Sequence, residues 1–243
     1  MNKLLTTSNQ RYWHTEASVR DEWVRRAAAK FPAGSRVLDA GAGSSKYRPF
    51  FSHCRYETQD FCQYEGTLVE YLQPIDHVCD IENIPLPDAC MDAIVCTEVI
   101  EHVVDPPRVL KELGRLLKPG GTLLLTSPMI SHLHMEPYHY FGGFTHYWYR
   151  HWLPKLGYEI ESITPVGGPG RSCATFILAF YQQWSATEKK TGGWRRVVSW
   201  PFRMIARVFA LYLMPRLLPQ FDGWLGNDVI CSGYMVIATR AKA

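Results

Sequence analysis

The chain of 243 residues is long enough to bury one α/β domain with an insertion and short for two independent ones. Its 47% hydrophobic and 20% charged residues exclude a disordered chain, and a net charge of +3 is too small to argue for a nucleic-acid ligand. Seven cysteines without a Cys-x-x-Cys pair fit reduced thiols, and Met1 to Gln10 has no signal-peptide pattern, so a cytoplasmic protein is expected.

From Glu16 to Lys30, the residues Val19, Trp23, Ala27 and Ala28 recur at helical spacing among charges, and Phe31-Pro32-Ala33-Gly34 ends that pattern. Residues 1–33 are therefore expected to form an N-terminal helical segment. Next comes Arg36-Val37-Leu38-Asp39-Ala40-Gly41-Ala42-Gly43-Ser44-Ser45, a short apolar run that ends in an acid and two glycines. A buried parallel strand delivers a turn to the edge of its sheet in this way. Gly41 and Gly43 let the backbone turn and approach a ligand closely.

What the loop lacks narrows the ligand. A dinucleotide fingerprint needs a third glycine where Lys46 stands, and a phosphate loop needs a Gly-Lys-Ser/Thr that is missing. Asp39 would repel a phosphate and suit a cationic or amine-bearing ligand. Val37 to Ser45 resembles motif I of the class I S-adenosylmethionine (SAM) methyltransferases, with Ser45 where many members carry a third glycine. The resemblance implies that Asp39, Gly41, Ala42 and Gly43 contact SAM.

Lys46 to Ser52 is expected to start a helix, and Arg55 to Gln59 reads as a second strand closing in Asp60. An acid some twenty residues past a glycine loop is placed to accept hydrogen bonds from both hydroxyls of a ribose. Phe61 to Gln73 has no clean period, and Ile75 to Val78 reads as a short edge strand ending in Cys79-Asp80-Ile81. In the family resembled, an acid here bonds the adenine amine and its apolar neighbour packs on the ring, roles that fall to Asp80 and Ile81.

Ala93 to Cys96 is a further apolar run that flows into Thr97-Glu98-Val99-Ile100-Glu101-His102-Val103. Asp105 can cap a helix whose first turn tolerates Pro106 and Pro107 and whose stripe is Val109, Leu110, Leu113, Leu116 and Leu117. Lys118-Pro119-Gly120-Gly121 stops it, and Thr122 to Thr126 supplies the next strand. The order of elements predicts a doubly wound parallel sheet that binds ligands at the carboxyl ends of its strands. These motifs in sequence look like those of the SAM-dependent methyltransferases that include ubiquinone-pathway O-methyltransferases. That resemblance implies a Rossmann-like seven-stranded sheet, mostly parallel with the last strand antiparallel, and places Thr97 and Glu98 on the cofactor.

Methyl transfer from a sulfonium is an in-line displacement, so the protein must align donor and acceptor and exclude water. A positioned base helps an acceptor that has a proton to lose. His132, His134, His139, His146 and His151 all follow the strand ending at Thr126. His102 and His139 are the base candidates. Glu98, Glu101 and His102 are spaced i, i+3, i+4, and with His139 this is similar to metal-dependent family members, small-RNA 2′-O-methyltransferases among them. That alternative implies Mg²⁺ or Mn²⁺ on Glu98, Glu101, His102 and His139. The metal-free reading assigns no metal ligand.

Thr145 opens a helix carrying Trp148, Trp152, Leu153 and Leu156 that stops at Gly157, and Tyr158 to Val166 reads as a strand. Gly167-Gly168-Pro169-Gly170 is expected to break the chain, and Gly233 to Thr239 is the final strand, so 167–232 is a helical insertion into a single domain of 1–243. Lys189 to Phe221 has seven basic residues and no acid, with Trp184, Trp194 and Trp200 nearby. Phe202 to Met214, between Pro201 and Pro215, reads as an amphipathic helix. The insertion is either a substrate lid or a surface for peripheral membrane contact through 194–221, since no apolar run reaches the roughly 18 residues of a span. Both readings favour a small hydrophobic or lipid-linked acceptor, O-methylated, reached past Phe141, Phe144 and Trp148. An RNA 2′-O-methyltransferase and a non-catalytic SAM-binding protein are the rivals. Nucleic acid is disfavoured because aliphatic residues interleave the basic run. Nothing in the sequence sets the oligomeric state.

Overall fold

The apolar runs become strands β1 (Arg36–Ala40), β2 (Arg55–Asp60), β3 (His77–Val78), β4 (Met91–Thr97), β5 (Leu117–Pro128), β6 (Tyr158–Val166) and β7 (Gly233–Arg240). They are seen in a computed structural model that describes residues 16–66, 68–71, 73–191, 199–226 and 229–242. One seven-stranded sheet runs in the order β3-β2-β1-β4-β5-β7-β6. The pairs β1–β2, β1–β4, β2–β3 and β4–β5 are parallel, whereas β5–β7 is antiparallel. The expected Rossmann-like doubly wound arrangement is present. Its strand order reverses between β1 and β4, where Val37 faces Ala93 and Asp39 faces Val95, and the crevice beyond their carboxyl ends is where such sheets take ligands.

Helix α1 (Glu16–Ala28) buries Val24, Ala27 and Ala28 against Val37, Tyr47, Phe51, Ala93, Val95 and Leu124. The stripe anticipated from Val19 and Trp23 is thus rotated onto Val24, with Trp23 packed at the margin. The helix expected over Lys46 to Ser52 is only a 3₁₀ turn, Arg48–Phe51. Buried Tyr47 and Phe51 pin this short connection in the core, and Arg48 N–H and Phe50 N–H donate three residues back, to Ser45 O and Tyr47 O.

Asp105 accepts a hydrogen bond from Arg108 N–H at the start of α2 (Pro106–Leu116), as a capping acid should. Val109, Leu110, Leu113 and Leu116 are fully buried, and each contributes about 1.5–3 kcal/mol by leaving water. β5 starts earlier than expected, at Leu117, because an irregularity in register between Met91 and Ala93 accommodates Lys118 to Gly121. α3 (His146–Lys155) begins after Thr145 and ends before Gly157, whose φ of +80° reverses the chain into β6.

Contacts among the described residues divide the chain into two units, one of 17–164 with 233–242 and one of 165–232. In the second unit the expected break at Gly167 to Gly170 is a helix start instead. α4 (Pro169–Thr191) opens with Pro169, and Asp222 Oδ1 accepts from Gly170 N–H at 2.7 Å and Arg171 N–H at 3.2 Å. The anticipated amphipathic helix is α5 (Trp200–Val208), and the winding continues through a π turn (Phe209–Leu213), α6 (Met214–Leu217), a 3₁₀ turn (Leu218–Phe221) and α7 (Asp222–Leu225). Trp194 and the start of the expected 194–221 surface lie outside the described residues. Among the described residues no helix is long and apolar enough to cross a membrane. None of the seven cysteines forms a disulfide.

Candidate active site

A cavity of about 360 Å³ opens at the carboxyl ends of β1, β2 and β4 in the first unit. That volume lies within the range of small-molecule sites. Gly41 and Gly43 form its floor, with φ of +73° and +51°. A Cβ on Gly41 would run into the Val99 side chain, and one on Gly43 would come to 3.3 Å from Val69 Cγ1. Both Val99 and Val69 line the cavity, so the missing side chains are space the cavity uses.

Asp60 lines one wall. It accepts hydrogen bonds from Gly43 N–H at 2.9 Å, Cys62 N–H at 2.9 Å and Tyr71 OH at 3.0 Å. A carboxylate offers about four acceptor sites, so a ligand hydroxyl shares this acid with Tyr71 or displaces it. Buried Gln59, which the sequence reading passed over, locks the same turn: its Oε1 accepts from Gly41 N–H at 3.2 Å and its amide donates to Cys79 O at 2.7 Å. Gln59 sits at the end of a strand beside the acid, and that position was the available signal. Tyr71 and Phe61, also on the cavity wall, fall in the aperiodic stretch and had none.

Asp80 and Ile81 line the cavity together. Asp80 Oδ1 accepts from Glu82 N–H at 2.9 Å, which turns the backbone so that acid and apolar side chain are presented side by side. Glu98 is on the wall too, with a left-handed φ of +54° that a non-glycine residue adopts at a cost. Its carboxylate accepts from Thr126 Oγ1 at 2.9 Å and pairs with Arg20 Nη1 at 3.1 Å. Arg20 comes from α1, and nothing in the local sequence pattern marked it.

Asp39, Ala42 and Thr97, expected on the cofactor, are not among the lining residues. Asp39 is 2% exposed and accepts from the Tyr56 hydroxyl. Burial pushes its carboxyl up to about 7, against the downward pull of that hydrogen bond. Ala42 contributes its N–H to Gln59 O at 2.9 Å, and Thr97 donates to the Tyr47 hydroxyl at 3.3 Å. These three shape the turn from beneath.

At the other end stand His102, Met135, Tyr138 and Tyr140. His102 Nδ1 donates to Tyr138 O at 2.6 Å, which leaves the lone pair on Nε2. Burial holds this imidazole down at about 4, so it is neutral at neutral pH. Tyr140 N–H and Phe141 N–H, just after His139, donate to Glu101 O at 3.0 and 3.2 Å and tie His139 to the segment of His102, with ring centroids 5.5 Å apart. His139 is not itself a lining residue. Phe144 is a core residue between Phe141 and Trp148, with centroids at 5.3 and 4.7 Å, so the aromatic wall is made by Phe61, Tyr71, Tyr138 and Tyr140 instead of the expected trio.

The metal set considered from sequence does not assemble. Glu98 is engaged by Arg20 and Thr126. Glu101 is 1% exposed with neither carboxylate oxygen hydrogen-bonded, and burial, then the Glu98 charge, drive its carboxyl well above the usual range. His102 and His139 gather with His134 instead.

A Rossmann-like sheet with two acids, a bare glycine turn and an apolar wall at its switch point defines an α/β protein with a small-ligand crevice. The model of the methyltransferase-domain family matches residues 12–162, and the chain belongs to that family, the class I SAM-dependent methyltransferases. It is 34% identical over 108 residues to the human protein named "Probable tRNA methyltransferase 9B", covering 42% of this chain and 23% of that one. It is 32% identical over 127 residues to the ubiquinone biosynthesis O-methyltransferase of Xanthomonas axonopodis pv. citri, covering 49% and 52%. The chain thus spans about a quarter of the first relative's length and about half of the second's. In fold it is similar to the [4+2]-cyclase SpnF, with a TM-score of 0.56 at 15% identity over 92% of this chain and 81% of that one.

Proposed function

We propose that this protein transfers the methyl group of SAM to an oxygen of a small hydrophobic or lipid-linked acceptor. The observation that carries the reading is one cavity with Gly41, Gly43, Asp60, Asp80 and Ile81 at one end and His102, Met135, Tyr138 and Tyr140 at the other. The residues fit the cofactor. Asp60 would accept from the ribose, Asp80 from the adenine amine, and Ile81 and Val69 would flank the base. SAM supplies an electrophilic methyl on a cationic sulfur. The chain's part is to hold the acceptor in line and keep water out, which the tyrosines and Val99, Val103 and Val104 favour. His102 Nε2 has the lone pair placed to take the acceptor's proton.

Two substitutions separate binding from transfer. In calorimetry, Asp80→Ala should weaken SAM about tenfold or more by losing a charge-assisted hydrogen bond. His102→Ala should leave SAM affinity within about threefold and lower turnover roughly 10²-fold or more, read with methyl-labelled SAM on extracted acceptors. Unchanged SAM affinity in the first variant, or native turnover in the second, overturns the assignment.

The second unit supports a reading in which the protein meets its acceptor at a lipid surface. Trp200, Phe202, Ile205, Trp224 and Leu225 are each more than half exposed, and Arg207 and Arg216 stand exposed among them. Large exposed apolar groups flanked by cations suit an anionic membrane interface.

A further inference from the structure

His102, His134 and His139 each turn one ring nitrogen into a shared space, and those three atoms all lie within 4.8 Å of one another. The rings are 4.8 Å apart for His102 and His134, 4.5 Å for His134 and His139, and 5.5 Å for His102 and His139, centroid to centroid. Their outer hydrogen bonds set the tautomers. His102 Nδ1–H donates to Tyr138 O at 2.6 Å and His134 Nδ1–H to His132 O at 2.8 Å, so each Nε2 carries a lone pair. Ser131 Oγ lies 3.5 Å from Gly142 O, to which it donates, and so receives the Nε2–H of His139 at 3.3 Å. The lone pair of His139 is then on Nδ1, a buried atom with no hydrogen-bond partner. Three lone pairs converge, and each imidazole is fixed from behind by an oxygen, the second layer that orients metal-ligating histidines.

We propose that these three histidines bind one divalent transition-metal ion of borderline softness, of the zinc type, with a fourth position open. Nitrogen ligands around a tetrahedral zinc stand about 3.3 Å apart at Zn–N distances of about 2.0–2.1 Å. The observed spacing reaches this with side-chain shifts of roughly 1.5 Å or less. An all-imidazole set suits zinc, cobalt or nickel and not the oxygen-seeking Mg²⁺ or Mn²⁺. The frame is already tied: Tyr140 N–H and Phe141 N–H reach back to Glu101 O, and Ser131 N–H donates to Gly142 O at 2.8 Å. His102 also lines the SAM-sized cavity, so the site deepens the reading given above and rests on it for any role in transfer. With an ion bound there, His102 would serve as its ligand and no longer as the base, and the ion would supply Lewis acidity at the acceptor end.

The test is direct titration of the full metal-stripped chain with Co²⁺, followed by visible absorption, and then displacement by Zn²⁺ followed by calorimetry. One equivalent should bind with the intense ligand-field bands of a low-coordinate nitrogen site. His134→Ala should weaken binding on the order of 100-fold or more. His132→Ala, which removes a neighbouring imidazole that is not a ligand, should bind as the parent does. His139→Gln, read the same way, covers the case in which His134→Ala misfolds, and SAM affinity within about threefold of the parent in each variant shows the cavity intact. No saturable binding in the parent, or equal binding by parent and His134→Ala, overturns the site. Metal binding by a chain that fails to bind SAM would sink the methyl-transfer reading and leave the metal site standing.

Discussion

Asp39 shows how a residue named for one reason acts for another. It was expected on the ligand because it precedes the glycine turn, yet it lies beneath that turn and accepts from Tyr56, whose ring stacks on Phe51 at 5.5 Å. Burial raises its folded-state value to about 7 from an unfolded value of 3.8, so between those limits the folded protein holds a proton the unfolded chain has released. Stability therefore falls as pH rises through that window, by at most about 1.4 kcal/mol per pH unit from this group. In urea unfolding at about pH 5 and about pH 8, Asp39→Asn should remove that part of the slope. A variant with the parent's slope would show that Asp39 ionises freely. Asp60, Asp80 and Ile81 were legible in the sequence because Asp60 closes one strand and the other two follow closely on the next, where such sheets bind ligands. Gln59, Arg20 and Tyr71 were not, because their roles come from neighbours in space: a backbone carbonyl of residue 79, the Glu98 carboxylate and the Asp60 carboxylate.

Among the elements, α2 was the most readable, since cap, first-turn prolines and stripe all agreed. It is also where the packing argument is simplest to check. Leu113 is fully buried in that stripe, so Leu113→Ala should cost about 2–5 kcal/mol in denaturant unfolding, while SAM binding to the folded fraction stays as in the parent. A cost below about 0.5 kcal/mol would mean the stripe is not a core. The segment from Lys46 to Ser52 misled because a helix is the usual connection after such a glycine loop. Tyr47 and Phe51 are anchored separately, and little chain remains before β2, which leaves room for one 3₁₀ turn. The histidine-rich loop was read as a source of bases one residue at a time. Its grouping of His134 with His102 depends on backbone bonds between residues far apart in the chain, which no local periodicity encodes.

On the scale of the whole molecule, the sheet follows from a pattern shared with the family, whose model matches residues 12–162, whereas residues 165–232 lie beyond that match. Peripheral membrane contact is the property that unit argues for. Flotation with vesicles of phosphatidylglycerol should carry the protein upward, and about 1 M salt should release part of it by screening the arginines. Trp200→Ala with Trp224→Ala should leave most of it at the bottom. A parent protein that stays at the bottom with anionic vesicles, or a double variant that floats equally well, removes the membrane reading and leaves SAM binding untouched.

Ser232 N–H donates to Val166 O at 2.9 Å, and the Ser172 and Ser232 hydroxyls meet at 3.2 Å, so the excursion departs and comes home at a single doorway. Closing a longer or shorter circuit changes the entropy only slowly with its length. The excursion can consequently be trimmed or enlarged over generations with little change in the entropy of closing it, a route by which one frame acquires new clients.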